Sequence, residues 1–470
     1  MIHLLSMTSF TDGFVKFTDT LCNYPEFLLL IGGGLFFLIY SGFVPIRHFG
    51  RAINSLRKKD DSPGQISSFE ALMSAIAATV GMGNIAGVAI AIMLGGPGAI
   101  FWMWVSAIVG MATKFFEGTL AIMYKGKDDR GEVQGGPMYM ITEGLGKKWK
   151  PLAIFFSIFG LIGTLCIMQA NQLTEAVITT FTAPAGIQTT LGLKFIIGTV
   201  ICLFVSVVIL GGIQRIARIA SKVVPLMVGL YFIIVAYIII ANISVVPDVF
   251  ASIFKGAFTF KAGAGGAIGS FFMIATIGAR RAALVNEAGV GTASMMHGAS
   301  KNNEPVREGL VAMLGPALDS GLVCSLTALA ILTPVAAGNY VIPDGTSAVK
   351  GLEIAINAFG ASMPYPIYKG TLGGYLLMVM VLFFAFSTMF SYSYYGTKCT
   401  SFLFGAKYGN YYNYFYLPML IVFAIVPLRF AVAVIDLAFF LMACATMFTL
   451  LALSPKVKAA AKEYFKKKKK

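Results

Sequence analysis

Two stretches of this chain carry residue types that can hold a small charged molecule. The first is Thr79-Val80-Gly81-Met82-Gly83-Asn84-Ile85-Ala86-Gly87. The second runs from Gly278-Ala279-Arg280-Arg281 to Asn286-Glu287-Ala288-Gly289-Val290-Gly291-Thr292. Both interrupt apolar runs with glycine, which costs a helix about 1 kcal/mol per residue relative to alanine. At a helix break, free backbone N–H groups on one half-helix can hold a carboxylate, and free carbonyls on the other can coordinate a small cation. Gly81, Gly83 and Gly87 would let a ligand approach the backbone closely, while Thr79 and Asn84 add oxygen ligands. The competing reading gives these glycines a packing role only, but packing makes no use of the Asn84 amide.

Other polar groups stand in apolar surroundings. Gln169-Ala170-Asn171-Gln172 follows a long apolar run, and buried amides in such a setting need partners. Gln169 and Asn171 are two apart and share no helix face well, so one is expected to meet a ligand and the other a neighbouring helix. The pair Ser387-Thr388 offers hard oxygens suited to an alkali cation, or else satisfies its own helix carbonyls. Lys114 and Glu117 are three apart, and are expected to pair or to cap a vestibule. Arg280, Arg281 and Glu287 flank the second interruption and are expected to gate or brace it through salt bridges rather than touch the ligand. No nucleophile triad, metal-ligand helix or phosphate loop appears, which argues against an enzyme and against ATP-driven chemistry. The three histidines (His3, His48, His297) are scattered and make no metal site. The six cysteines form no CxxC pair and read as small buried hydrophobes.

The elements that must position these groups are membrane spans. The chain is 57% hydrophobic and 12% charged, with mean hydropathy +0.80, far too apolar for a soluble core with a polar skin. Crossing hydrocarbon takes about 20 mostly apolar residues. Eleven runs qualify, at 27–46, 68–94, 97–124, 151–181, 192–211, 221–245, 264–298, 306–337, 371–397, 413–430 and 433–454. The first lacks a small-residue cleavage pattern and reads as a signal-anchor helix. With the N-terminus outside, 26 of the 36 Lys and Arg fall in cytoplasmic segments and seven outside, with three inside spans. That asymmetry predicts N-out, C-in and an odd number of spans. Basic residues in short loops, without interleaved aromatics, argue against nucleic acid. The terminal Lys466–Lys470 run either meets an anionic leaflet or is solvated.

Setting the first span aside leaves ten, and the two interrupted runs are the first and the sixth. Interrupted helices in matching positions of two halves are the best sequence pointer to a transporter's ligand site. An odd repeat of five enters the membrane from opposite sides, so the repeat is inverted, as in the LeuT-like fold. The predicted class is therefore an all-α integral membrane protein with a 5+5 inverted repeat and one extra N-terminal helix. Residues 1–66 would hold the external N-terminus, first span and a basic loop. Residues 67–245 and 246–454 would be the two repeats, and 455–470 a lysine-rich cytoplasmic tail.

Longer blocks of the sequence resemble the alanine or glycine:cation symporter family. They include Ala78–Ala89, Gly95-Gly96-Pro97-Gly98-Ala99-Ile100-Phe101-Trp102-Met103-Trp104, Gly110-Met111-Ala112-Thr113-Lys114-Phe115, Gly135-Gly136-Pro137-Met138-Tyr139, Asn286-Glu287-Ala288-Gly289 and Ser393-Tyr394-Tyr395-Gly396. The resemblance runs from about residue 66 to 410. It implies co-transport of alanine or glycine with sodium, more rarely protons, across a cell membrane, with sodium as coupling ion and no other cofactor. The substrate region would then include Thr79, Gly81, Gly83, Asn84, Gln169, Asn171 and a break near Gly278. The sodium site would combine carbonyls near Thr79 with Ser387 and Thr388, by analogy of fold. The expected partners are a small amino acid, sodium and the bilayer, with the oligomeric state left open. Three departures sit near the expected site. Met82 stands where the family has threonine, Ala282-Ala283-Leu284-Val285 replaces Gly-x-Phe-Ser, and Gly291-Thr292-Ala293-Ser294 replaces Gly-Ser-Ala-Pro. Lost hydroxyls there would remove a substrate or ion ligand. The rival expectations are a proton-coupled permease for another small solute and a non-transporting sensor on the same scaffold.

Overall fold

In lipid a chain satisfies its backbone polar groups internally, as helix or closed barrel, and here the apolar runs are helical. The computed structural model describes residues 2–56, 62, 64–258, 266–343, 351–426 and 428–467. The principal helices are α1 (2–40, with a π-helical turn at Leu28–Gly32), α2 (Ser68–Thr79), α3 (Val88–Gly95), α4 (Gly98–Met123), α5 (Lys150–Gly163), α6 (Ile167–Val177), α7 (Leu191–Ile209) and α8 (Gly212–Ala241). They continue as α9 (Val246–Ala257), α10 (Gly266–Asn286), α11 (Thr292–Gly298), α12 (Pro305–Ala336), α13 (Gly351–Ser362), α14 (Leu372–Phe404), α15 (Tyr411–Ile425) and α16 (Leu428–Lys467). Two short hairpins are present among the described residues. In the first, Gly126 pairs with Gln134 and Lys127 with Val133.

Each of the eleven expected runs overlaps a helix. Among the described residues eight helices are long and apolar enough to cross a membrane, or nine when the bent α2–α3 pair counts as one span. The expected runs at 264–298 and 413–430 are not among them. The first is cut into α10 and the seven-residue α11, and the second yields only the fifteen residues of α15. Helix α1 starts at Ile2, well ahead of the apolar run beginning at Phe27. Two helices lie where the sequence reads as loop, α9 and α13. Both have twelve residues, too short to register as spans.

The peripheral helices show why lipid is needed. Helix α8 buries Ile216, Ala220, Val224, Met227, Tyr231, Val235 and Ile238, one every three or four residues, which is a single face. Its other face leaves Phe232, Ile233, Tyr237 and Ile240 exposed, and α7 likewise exposes Leu203, Phe204 and Val207. Apolar patches of that extent have no place against water. At the centre, α4 buries most of its length against α10 and α12. A Cβ on Gly118 would lie 2.6 Å from the Ala312 Cβ, so the small residue permits the close helix crossing.

The breaks fall in three places. The first lies between α2 and α3, which bend by 56° about Val80–Met82. The second separates α10 from α11 at residues 287–291, where Glu287, Gly289 and Gly291 all have positive φ. This corrects the expected position near Gly278, which lies inside continuous α10, packed against the Ala99 backbone and Trp102. The third was not foreseen. The expected run 151–181 is divided at Thr164–Cys166, with Cys166 at φ 53°. A non-glycine residue there costs roughly 1–2 kcal/mol, and no glycine or proline stands at Cys166 to signal it.

Candidate functional site

The first break is organised by Asn84. A capping box of Ser67 and Glu70 starts α2, and the helix ends where Val80 turns extended. The Gly81 N–H then donates to Asn84 Oδ1 at 2.8 Å, so the amide closes the gap from within the π-helical turn Gly83–Gly87. The Asn84 Nδ2 points to the Asp319 carbonyl (3.4 Å) and Cys324 Sγ (3.5 Å). Asn84 is fully buried behind the cavity described below rather than lining it. A Cβ on Gly81 would lie 2.6 Å from Thr388 Oγ1. Only glycine allows that approach, and it brings the break to Ser387 and Thr388 on α14. Both hydroxyls donate to the Phe384 carbonyl, at 3.1 and 3.0 Å, which leaves their lone pairs for a further partner.

The second break is braced by α4. Lys114 Nζ donates to the Glu287 carbonyl at 3.0 Å and lies 3.7 Å from Glu117 Oε2. The Gly289 N–H donates to Glu117 Oε1 at 2.5 Å. Lys114 and Glu117 therefore pair as expected, and together they tie down backbone groups the break releases. The Glu287 carboxylate accepts from Thr292 Oγ1 at 2.5 Å and from the Tyr392 hydroxyl, linking the break to α14. All three charged side chains are at most 3% exposed.

Between the two breaks lies a cavity of about 340 Å³, at the small end of the range of about 300–1,000 Å³ usual for ligand pockets. Thr79, Gly81 and Gly83 line it from the first break, and Leu284, Val285 and Glu287 from the second. Met82 and Val285 form apolar wall, with Val285 Cγ2 3.1 Å from where a Gly83 Cβ would stand. Gln169 and Gln172, one helical turn apart on α6, also line it. Each has a buried Oε1 without a hydrogen-bond partner. Asn171, also expected in the substrate region, faces elsewhere and does not line the cavity, donating to the carbonyls of Phe423 (3.2 Å) and Val426. Gln172 was not singled out, although its i,i+3 spacing from Gln169 would have found it. Gly278 does not line the cavity.

Arg280 and Arg281 stand in the cavity wall. Arg280 pairs with Glu26 of α1 at 3.7 Å and with Asp436 of α16 at 3.6 Å, in line with its expected salt-bridging role. Neither partner was foreseen, though single acids in apolar runs are the signal that marks them. Farther off, where the chain enters α2, a second buried set was also missed. His297 Nδ1 lies 2.7 Å from Glu308 Oε1, while Ser68 Oγ and Asn302 Nδ2 donate to Glu308 Oε2 at 2.6 and 2.8 Å. Ile66 bridges Ser300 beside it, joining the start of α2 to the end of α11. Among the described residues no group of three or more His, Cys, Asp or Glu side chains forms a metal cluster.

The sequence pattern described as the sodium:alanine symporter family matches residues 7–470. An uncharacterised transporter of Haemophilus influenzae is 37% identical, covering 94% of this chain and 93% of that one. The sodium/alanine symporter AgcS of Methanococcus maripaludis is 39% identical over 84% of each chain. Among solved structures, MhsT in complex with L-phenylalanine superposes with a TM-score of 0.57 at 12% identity, covering 85% of this chain and 98% of that one. That likeness is one of fold, and the fold is LeuT-like.

Proposed function

Because the chain belongs to the sodium:alanine symporter family, and is thus a cation-coupled amino-acid symporter embedded in a membrane rather than an enzyme, we propose that it imports small neutral amino acids, alanine or glycine, with sodium. The observation that carries this reading is the cavity between the two breaks, lined by the backbone of the first break and by Gln169 and Gln172, whose side-chain oxygens lack partners. The substrate carboxylate meets the N–H groups of Met82 and Gly83 at the start of the second half-helix, where helical N–H groups lack intrahelical partners. The Gly81 N–H is taken by Asn84, so Asn84 acts by holding the break open rather than by touching substrate. Gln169 and Gln172 accept from the ammonium group. Met82 and Val285 make the wall beside them apolar.

Sodium sits where Gly81 approaches Thr388, bound by backbone carbonyls near Thr79 and by the Ser387 and Thr388 hydroxyls. These are hard oxygens of the kind an alkali cation takes. Filling both sites lets the Arg280 salt bridges close the cavity on one side before the other opens. That is alternating access, driven by the sodium gradient of the cell membrane, with the N-terminus outside and the C-terminus in the cytoplasm.

Uptake of radiolabelled alanine into proteoliposomes, with an inward sodium gradient against an equal potassium gradient, tests the proposal. Sodium-dependent accumulation above equilibrium is the expected result. Uptake that ignores sodium and is abolished by a protonophore would overturn the choice of ion. Binding of alanine without accumulation under any gradient would overturn transport itself.

A further inference from the structure

The chain leaves α1 through two short helices, Val44–Arg47 and Phe49–Ser55. One face of this segment is buried, at Val44, Pro45, Ala52 and Ser55, and Phe49–Ser55 packs on the first turns of α12. The other face carries Phe43, Ile46, Phe49 and Ile53, all exposed, with Ile46 at 61%. Their spacing of three or four residues makes them one stripe. Arg47 and Arg51 stand between them, and no acidic residue occurs from 43 to 56. Helices this short cannot cross hydrocarbon. An apolar stripe edged with arginine suits the boundary where headgroups meet acyl chains. The stripe also continues the exposed apolar side of α1, at Leu35, Phe36 and Ile39, which faces lipid.

A second basic element meets the segment there. Helix α16 runs on past its apolar stretch, and its Phe465 ring stacks on His48 at 3.9 Å. The Arg51 guanidinium lies 5.7 Å from the centre of the same ring, and its Nη1 has no hydrogen-bond partner. Lys458 sits 4.1 Å over the ring of Tyr40 at the end of α1. Lys458, Lys462 and Lys466 are exposed and four residues apart, so they share a face. Glu463, the one acid of α16 beyond residue 454, already pairs with Lys467 at 2.6 Å. Clustered lysine and arginine beside a membrane span are attracted to anionic lipid. A soluble acidic partner would answer the charge and leave the apolar stripe uncovered, whereas a charged leaflet answers both.

We propose that residues 43–55 and the end of α16 form a docking surface for anionic phospholipids of the cytoplasmic leaflet. Phe43, Ile46, Phe49 and Ile53 enter the acyl region, while Arg47, Arg51, Lys462 and Lys466 meet the phosphates. The choice of leaflet rests on the topology proposed above, with the C-terminus in the cytoplasm. Lipid bound there holds Phe49–Ser55 against α12 and ties it to α16, so it stabilises the fold from outside the cavity.

The test is thermal unfolding of the purified full-length protein in a neutral detergent, in potassium chloride, without sodium or amino acid. Dioleoyl phosphatidylglycerol or dioleoyl phosphatidylcholine is added. Detergent has no sides, so the result depends neither on transport nor on orientation. Phosphatidylglycerol is expected to raise the unfolding temperature more than phosphatidylcholine, and less so at high salt. The pairs Arg47→Gln/Arg51→Gln and Lys462→Gln/Lys466→Gln are each expected to raise its half-maximal concentration about tenfold or more. Arg47→Lys/Arg51→Lys keeps the charges and is expected to keep the response. Lys147→Gln/Lys148→Gln removes two exposed lysines at the entry to α5 and is expected to change nothing. Ile46→Ser/Ile53→Ser is expected to weaken the response to both lipids. An equal response of the wild type to the two lipids overturns the proposal. Loss of the preference in the Lys147/Lys148 pair as well assigns it to overall charge and overturns the site. A dimer in detergent that Ile46→Ser/Ile53→Ser dissociates gives the stripe to a second copy and overturns the lipid as occupant.

Discussion

At the scale of single residues, Asn84 and Val285 separate structure from selectivity. Removing the Asn84 amide leaves the Gly81 N–H unpaired inside the protein, at a cost of about 1–3 kcal/mol. Asn84→Ala is therefore expected to insert and fold but to lose uptake, as read by size-exclusion profile and transport in the same preparation. Full activity in that variant would remove the amide from the working of the break. Val285 carries apolar wall into the cavity. Val285→Ser replaces two methyl groups with one hydroxyl there, and a difference of that size in a pocket is worth about 1–3 kcal/mol. The expected outcome is a shift in competition toward serine over alanine, of about tenfold, with the sodium dependence unchanged.

At the scale of elements, the brace between α4 and the second break behaves as a unit. Lys114→Met strips the counter-charge from Glu117 while Glu117 stays buried, and breaking such a pair costs about 3–5 kcal/mol. Adding Glu117→Gln removes the orphaned charge, so the double variant is expected to unfold at a higher temperature than Lys114→Met alone. Additive losses in the four-member cycle would mean that the two side chains act independently. Elements were also where the sequence was most legible. The glycine-rich interruption at Gly81–Gly87 announced the first break, and the spacing of Gln169 and Asn171 announced that they face different ways. The second break was placed too early because Gly278 and the two arginines drew attention. The chain turns instead at Glu287, a residue with no intrinsic preference for positive φ, held there by Lys114, Thr292 and Tyr392. Such tertiary support leaves no local trace. The kink at Cys166 was invisible for the same reason, and the two acids beside Arg280 could be flagged but not paired with it, since Glu26 and Asp436 reach it from opposite ends of the chain.

At the scale of the whole molecule, the distribution of lysine and arginine predicts which end faces the cytoplasm. A cysteine introduced at Glu463 on the exposed end of α16 is expected to react with an impermeant maleimide in inside-out vesicles and not in right-side-out cells. Labelling in intact cells would invert the topology. The native thiols interfere little, four being buried and Cys202 and Cys444 half-buried. One further feature bears on time rather than on shape. The set of His297, Glu308, Ser68 and Asn302 lies outside the cavity and clasps the start of α2 to the end of α11. If the alternating-access cycle proposed above parts those ends, buried polar groups that satisfy one another would let go together rather than singly. The molecule would then wait in one position and leave it in a single step, and turnover would be paced by the lifetime of a contact that the transported molecule never reaches.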